Sequence, residues 1–186
     1  MKTIALFGGS FDPPHIAHVA IVDALLKLNK IDKVVVMPAY LNPFKSEFHA
    51  PSELRLKWLR EIFTAYNNVE VSDYEISQAR SVRTIESVEH LLQTYSSIYL
   101  VIGADNLEKL PLWQNYERLS KLVRFIVATR EGIKIPDGFI KLEIGIDVSS
   151  TRLRDEIDTT MLPFRCAQEI ERFYKEKKCK QELKKS

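Results

Sequence analysis

The 186-residue sequence is short of the features that mark unusual protein classes. Glycine and proline number only 6 and 8, which excludes collagen-like, low-complexity and disordered architectures. There are two cysteines, Cys166 and Cys179, with no CxxC pairing, so free thiols of a reducing compartment are expected. Long apolar runs are missing as well. The longest uncharged one, Ile98 to Ala104, falls far short of a membrane span, and Thr3 to Phe7 is too short for a secretory signal. A cytoplasmic protein with no membrane partner is therefore expected. The formal net charge is only +2, too small to call for nucleic acid. The basic excess lies from Glu171 to Ser186, which reads as a helix end fraying into solvent. At about 150 residues per domain, the length suits one domain over 1–178 with a basic tail over 179–186. The oligomeric state is left open, with a homo-oligomer allowed.

What is present is an alternation of short β-branched runs with amphipathic stretches. Thr3–Phe7, Val34–Met37, Ile98–Ile102 and Arg124–Ala128 read as buried strands, and Ile140–Ile144 as a last short one. Helices are expected from His15 to Leu28, from a Ser52 cap to Tyr66, after a Thr84 cap, within Trp113–Leu122, after Ser149 or Ser150, and from Pro163 to about Lys177. Residues 39–51 carry Pro43 and Pro51 without a period and read as loop. Strands apolar on both faces imply a parallel sheet covered by helices on both sides, and such sheets bind ligands beyond the carboxyl ends of their strands.

Three segments at those ends carry chemistry. Phe7-Gly8-Gly9-Ser10-Phe11-Asp12-Pro13-Pro14-His15-Ile16-Ala17-His18 runs from the first strand into the first helix. Its glycines let backbone approach a bulky anion, the helix N-terminus aims N–H groups at it, and His15 and His18 project from the first turn. The string is no P-loop, because Lys-Ser/Thr does not follow the glycines, and ligand spacing for a zinc site is missing. Val148-Ser149-Ser150-Thr151-Arg152-Leu153-Arg154 is a hydroxyl-rich helix start that suits a second anion contact; alone it is also an ordinary serine cap. In Ile102-Gly103-Ala104-Asp105-Asn106, followed by Leu110-Pro111-Leu112-Trp113, a carboxylate just past a strand suits ribose hydroxyls. Trp113 there offers a flat face to an aromatic ring, or packs as a core aromatic.

Taken together, GGSFDPPHIAH resembles the signature of the nucleotidyltransferase superfamily with its (His/Thr)-x-Gly-His motif, and Ser149-Ser150-Thr151-Arg152-Leu153-Arg154 resembles that superfamily's second element. IGADN…LPLW is similar to the Gly-Ala-Asp…Trp element of bacterial nicotinate-nucleotide adenylyltransferases. Met37-Pro38 through Lys45, Val71–Glu75 with Thr84-Ile85, and Ala128–Gly132 fit the same family in order, so the likeness runs from residue 2 to about 175. Ala17 departs from the pattern's glycine, Phe44 from its histidine, and Val82-Arg83 from its Ser-Tyr.

The resemblance implies a Rossmann-like, doubly wound, mainly parallel sheet and transfer of the adenylyl group of ATP to nicotinate mononucleotide. It implies His15, His18 and Arg154 as the groups that neutralise the leaving pyrophosphate. Gly8, Gly9, Ser10, Phe11, His18, Gly103, Asp105, Arg130, Ser149, Ser150 and Arg154 would contact ATP. Ser10, Lys45, Thr84, Ile85 and Trp113 would contact the acceptor. Mg2+ would ride on the ATP phosphates without protein ligands of its own. A carboxylate at the N-terminus of the helix after Thr84 meets N–H groups and a favourable dipole, whereas an amide presents donors to donors, which favours nicotinate. Arg83 either points to solvent there or adds a cation. The rival readings are a sister enzyme, such as a pantetheine-phosphate adenylyltransferase or a cytidylyltransferase, and a nucleotide-binding module without chemistry.

Overall fold

The computed structural model describes residues 2–41 and 48–183. Six parallel strands form one sheet: β1 (Thr3–Gly9), β2 (Lys33–Pro38), β3 (Val69–Val71), β4 (Ser97–Gly103), β5 (Val123–Ala128) and β6 (Ile140–Leu142), in the spatial order β3-β2-β1-β4-β5-β6. The sheet is wholly parallel, where a mainly parallel one was expected.

The central strands are apolar on both faces because each face is covered, and their side chains alternate between two cores. Ala5, Phe7, Val34, Val36, Tyr99 and Val101 point into one core; Ile4, Leu6, Val35, Met37, Ile98 and Leu100 point into the other. The first core is closed by α1 (Ile16–Leu26), α2 (Ser52–Phe63), α6 (Ser150–Asp155) and α7 (Ala167–Glu182), through Val22, Leu25, Trp58, Leu59, Leu153 and Ile170. The second is closed by α4 (Thr84–Leu91), α5 (Tyr116–Leu122) and the 3₁₀ helix Ala104–Leu112, through Ile85, Val88, Leu110 and Leu119. Each large apolar side chain buried this way contributes roughly 1.5–3 kcal/mol.

Chain direction positions the site. After β1 the chain passes to one face of the sheet, and after the neighbouring β4 it passes to the other, which opens a crevice beyond the carboxyl ends of these two strands.

The structure differs from the sequence reading at element ends. Ser52 and Thr84 are first helical residues rather than caps, behind Pro51 and Arg83. The expected helix from Trp113 starts at Tyr116, because Asn115 adopts a left-handed φ of 60°. The terminal helix starts at Ala167 and continues through Glu182, so residues 179–182 of the expected tail are helical; Lys175 reaches Glu171 one turn back at 2.6 Å. β3 and the short α3 (Tyr74–Ser77) were not foreseen. No helix among the described residues is long and apolar enough to cross a membrane.

Candidate active site

The corner between β1 and α1 is built around Phe11. Its φ of 49° turns the ring back into the core, where it is 1% exposed and meets Phe7 edge-on, with centroids 5.3 Å apart. Gly9 suits this close approach: a Cβ there would lie 3.1 Å from two ring carbons of Phe11, tight enough that the ring would have to shift. The sequence reading placed Phe11 among the ATP contacts, but its side chain is a core wedge, which leaves only its backbone to a ligand. Ala17, where the family pattern has glycine, directs its methyl into the same core.

His15 precedes α1 and His18 sits at its third position, with rings stacked 3.6 Å apart at 19°. The His15 N–H donates to His18 Nδ1 at 3.1 Å, so His18 Nδ1 is an acceptor and Nε2 carries the proton of the neutral ring. Burial lowers His15 to about 4, with help from the nearby Arg130 cation; burial and then the His15 ring hold His18 well below the usual histidine range. Both rings are therefore neutral at pH 7 in the unliganded protein. His15 Nδ1 is buried with no partner among the described residues. An arriving anion would favour protonation of both rings, the reverse of what burial does.

The second anion element docks directly onto the first. Ser150 Oγ donates to the Pro13 carbonyl at 2.8 Å, and Arg154 donates to the Asp12 carbonyl at 2.5 Å and to Thr151 Oγ1 at 3.0 Å. Ser149 caps α6, its hydroxyl accepting from the Arg152 N–H at 3.3 Å. Arg130, in the loop after β5, donates to the Val148 carbonyl at 3.4 Å and lies 3.7 Å from the exposed Asp105 carboxylate. Asp105 folds over Gly103, where a Cβ would come within 2.6 Å of its Oδ1. Segments far apart in sequence thus bring two imidazoles, two guanidinium groups and a serine-rich helix start to one crevice.

Asp12 is the anchor of this corner. Its carboxylate is 1% exposed and accepts from the N–H groups of His49 and Ala50 at 2.9 Å and from the Tyr174 hydroxyl in α7. Burial alone would raise its pKa, but those three donors and the Arg154 charge bring it below the ordinary carboxylate value. Burial and the Asp12 charge push the Tyr174 hydroxyl far up, so it stays a donor.

The opposite wall is formed by α4 and the 3₁₀ helix. Arg83 caps α4; Glu86 accepts from its N–H at 3.0 Å and pairs with Arg80 at 2.7 Å, so an acid already occupies part of this helix start. Thr84 and Ile85 form the first turn, whose N–H groups have no intrahelical acceptor. Trp113 packs half-buried against the core that contains Ile85, and its Nε1 is buried without a partner among the described residues. Below this wall Glu75 is buried, with one hydrogen bond among the described residues, from Ser87 Oγ at 2.8 Å, and burial raises it to about 7. Lys45 lies outside the described residues.

Sequence reasoning missed Arg55 and Tyr174 as parts of this region, and placed Glu75 in a family element with Thr84 and Ile85 without giving it a role. The available signal for Arg55 was its register on α2, in step with the inward Leu59 and Ile62.

A doubly wound sheet whose switch-point crevice gathers imidazole, guanidinium and helix-start donors around an anion cradle defines the class of α/β nucleotidyltransferases, and a family model described as cytidylyltransferase-like matches residues 6–156. Within that class the likeness is narrower. The probable nicotinate-nucleotide adenylyltransferase of Sulfurimonas denitrificans is 60% identical over 98% of this chain and 100% of its own length, and that of Campylobacter fetus is 47% identical over 94% and 97%. The chain belongs to the nicotinate-nucleotide adenylyltransferase family. Among solved structures, the Plasmodium falciparum nicotinic acid mononucleotide adenylyltransferase complexed with NaAD shares the fold, with a TM-score of 0.72 at 23% identity over 86% of this chain and 88% of that one.

Proposed function

We propose that this protein transfers the adenylyl group of ATP to the phosphate of nicotinate mononucleotide, giving nicotinate adenine dinucleotide and pyrophosphate. The observation that carries the reading is the docking of Ser150 and Arg154 onto the Asp12-Pro13 backbone, which makes one polyphosphate site of two distant motifs. An oxygen of the acceptor phosphate forms a bond to the α-phosphorus as the bond to the bridging oxygen of pyrophosphate breaks. The acceptor is already an anion, so no general base is required. Catalysis is in-line positioning plus stabilisation of charge on the leaving group. Gly8, Gly9 and Ser10 form the cradle, and His18 Nε2–H, Arg154 and Arg130 supply donors to the polyphosphate. His15 holds His18 through its backbone N–H and supplies a second ring. Asp105 faces the ribose of ATP.

The residues around the cradle suit anions better than a bare cation. Both oxygens of Asp12 are taken up by three donors, the Asp105 carboxylate lies beside the Arg130 cation, and the histidines, arginines and serines offer donors. Mg2+ would be carried by the ATP phosphates without protein ligands of its own and, when bound, would supply charge to offset that of the leaving pyrophosphate. Thr84 and Ile85 receive the nicotinate carboxylate, Trp113 stacks on the pyridine ring, and Lys45 contacts the acceptor phosphate. The free thiols Cys166 and Cys179 suit a cytoplasmic setting.

The test is pyrophosphate release from magnesium-ATP with nicotinate mononucleotide, nicotinamide mononucleotide or 4′-phosphopantetheine as acceptor. Strong preference for the first is expected. Release only with another acceptor would keep the phosphate chemistry and overturn the roles of Trp113 and Thr84. Binding of ATP without release would reduce the protein to a nucleotide-binding module.

A further inference from the structure

Arg55 is 0% exposed and its guanidinium spends every hydrogen bond shown on backbone carbonyls of three separate segments. It donates to Ser10 in the cradle at 2.6 Å, to Ala39 and Tyr40 just after β2 at 2.8 and 3.3 Å, and to Ala50 just before α2 at 3.1 Å. The Phe48 ring lies 4.1 Å from its Cζ. An apolar side chain would serve α2 packing at no desolvation cost, so burying a cation here needs another reason. The planar fork is that reason, because it fixes several donors in one rigid geometry that a lysine does not reproduce. The ladder already joins the ends of β1 and β2, through the Ala39 N–H donating to the Gly9 carbonyl at 2.9 Å; the fork ties Ser10 and residues 39–40 to the backbone before α2.

We propose that Arg55 is a positioning residue for the transfer step, holding Ser10 and the segments at 39–40 and 48–50 at the spacing in which the ATP and acceptor phosphates meet in line. This rests on the adenylyl-transfer reading above. In-line displacement is steeply sensitive to such spacing, whereas binding of ATP alone is not.

The experiment compares the parent with Arg55→Lys in steady-state kinetics, ATP titration and amide hydrogen exchange. For Arg55→Lys, kcat is expected to fall on the order of 10²-fold. The Kd for ATP should stay within about threefold, because the cradle and its N–H groups remain. Exchange should accelerate at 39–41 and 48–50 while amides of 98–102 keep their protection. A variant with kcat within about threefold of the parent overturns the proposal, as the spacing then has no bearing on the step. So does loss of kcat together with protection across 98–102, which would make Arg55 a general stability residue. Should Arg55→Lys not fold, Arg55→Gln keeps a planar amide that reaches fewer of the four carbonyls; kcat reduced with ATP affinity intact supports the assignment, and unchanged kcat overturns it. A parent that releases no pyrophosphate with any acceptor sinks the reaction reading itself, whereas an active parent with a fully active Arg55→Lys variant sinks only the assignment to Arg55.

Discussion

Asp12 and Glu75 are both buried carboxyls beside the crevice, one on each wall, and they are treated in opposite ways. Asp12 has three donors and a nearby guanidinium, and is held ionised below the ordinary carboxylate range. Glu75 has one hydroxyl, and burial raises it to about 7. The contrast extends to the walls themselves. The cradle wall is laced together by hydrogen bonds from Ser150, Arg154, Tyr174 and Arg55 to the backbone or carboxylate of residues 10–13. The acceptor wall rests on apolar packing of Ile85 and Trp113 and on exposed pairs such as Arg80–Glu86. Under the proposed roles, the wall that stabilises moving charge is the one preorganised by polar cross-links, and the one that takes a flat ring offers a fitted apolar face.

The largest expected effect breaks the cradle wall. His18→Ala removes the Nε2–H donor whose tautomer is set by the His15 N–H, and should lower turnover 10²-fold or more, on the order of 3 kcal/mol of transition-state stabilisation. Pyrophosphate release under saturating substrates checks this, and near-normal turnover would take His18 out of the mechanism.

Next comes the contrast between the two carboxyls. Glu75 binds its proton up to about pH 7 in the folded protein but only to about 4.5 when unfolded, so its contribution to stability is lost as pH rises from 4.5 to 7. Glu75→Gln keeps the shape and removes the titration. Urea denaturation should show the variant gaining on the parent by roughly 2–3 kcal/mol at pH 8 and matching it near pH 4.5. A constant difference at both pH values would mean that Glu75 does not titrate as its surroundings require. His15 acts in the opposite direction: its value of about 4 lies below the unfolded 6.5, so the neutral-ring contribution is lost as pH falls from 6.5 to 4.

How much of this was legible in the sequence follows from the same contrast. The strands β1, β2, β4 and β5 could be read because burial on both faces leaves an unbroken apolar run, and the two anion motifs could be read because backbone approach and helix-start donors demand particular residues. β3 could not, being three half-buried residues at one end of the apolar core. Nor could the cross-links. Nothing local in Arg154 says that its partner is the Asp12 carbonyl 142 positions away, and for Arg55 the register on α2 marks an inward face but not the four carbonyls it meets there. For Phe11 the motif does not tell side chain from backbone: the ring shapes the loop from the core side, which leaves the backbone for a ligand.

On the acceptor wall, Trp113→Ala should weaken the nicotinate substrate about tenfold, since a ring stack is worth about 0.5–1.5 kcal/mol beyond its buried area. The KM for ATP should stay unchanged, because Trp113 packs with Ile85 and not with the histidine cluster. Equal losses for both substrates would mean that the two walls are not separable. Trp113→Phe should keep part of the acceptor affinity, since it retains a flat aromatic face but loses the larger indole and its Nε1–H, which has no partner among the described residues.

The smallest effect concerns Arg83, which the sequence left either pointing to solvent or adding a cation beside the acceptor carboxylate. The structure leaves its side chain exposed, and what it contributes to α4 is a backbone N–H bonded to Glu86. A charge surrounded by water is screened at physiological salt beyond about 8 Å, so it adds little to a carboxylate held by helix N–H groups. Arg83→Ala should therefore change the preference for nicotinate over nicotinamide mononucleotide, measured as the ratio of kcat/KM values, by less than about twofold. Raising the ionic strength should leave the same ratio nearly constant in the parent. A tenfold fall in acid preference in the variant, reproduced by salt in the parent, would show that the acceptor wall too uses a charged side chain, and the division between a polar and an apolar wall would have to be redrawn.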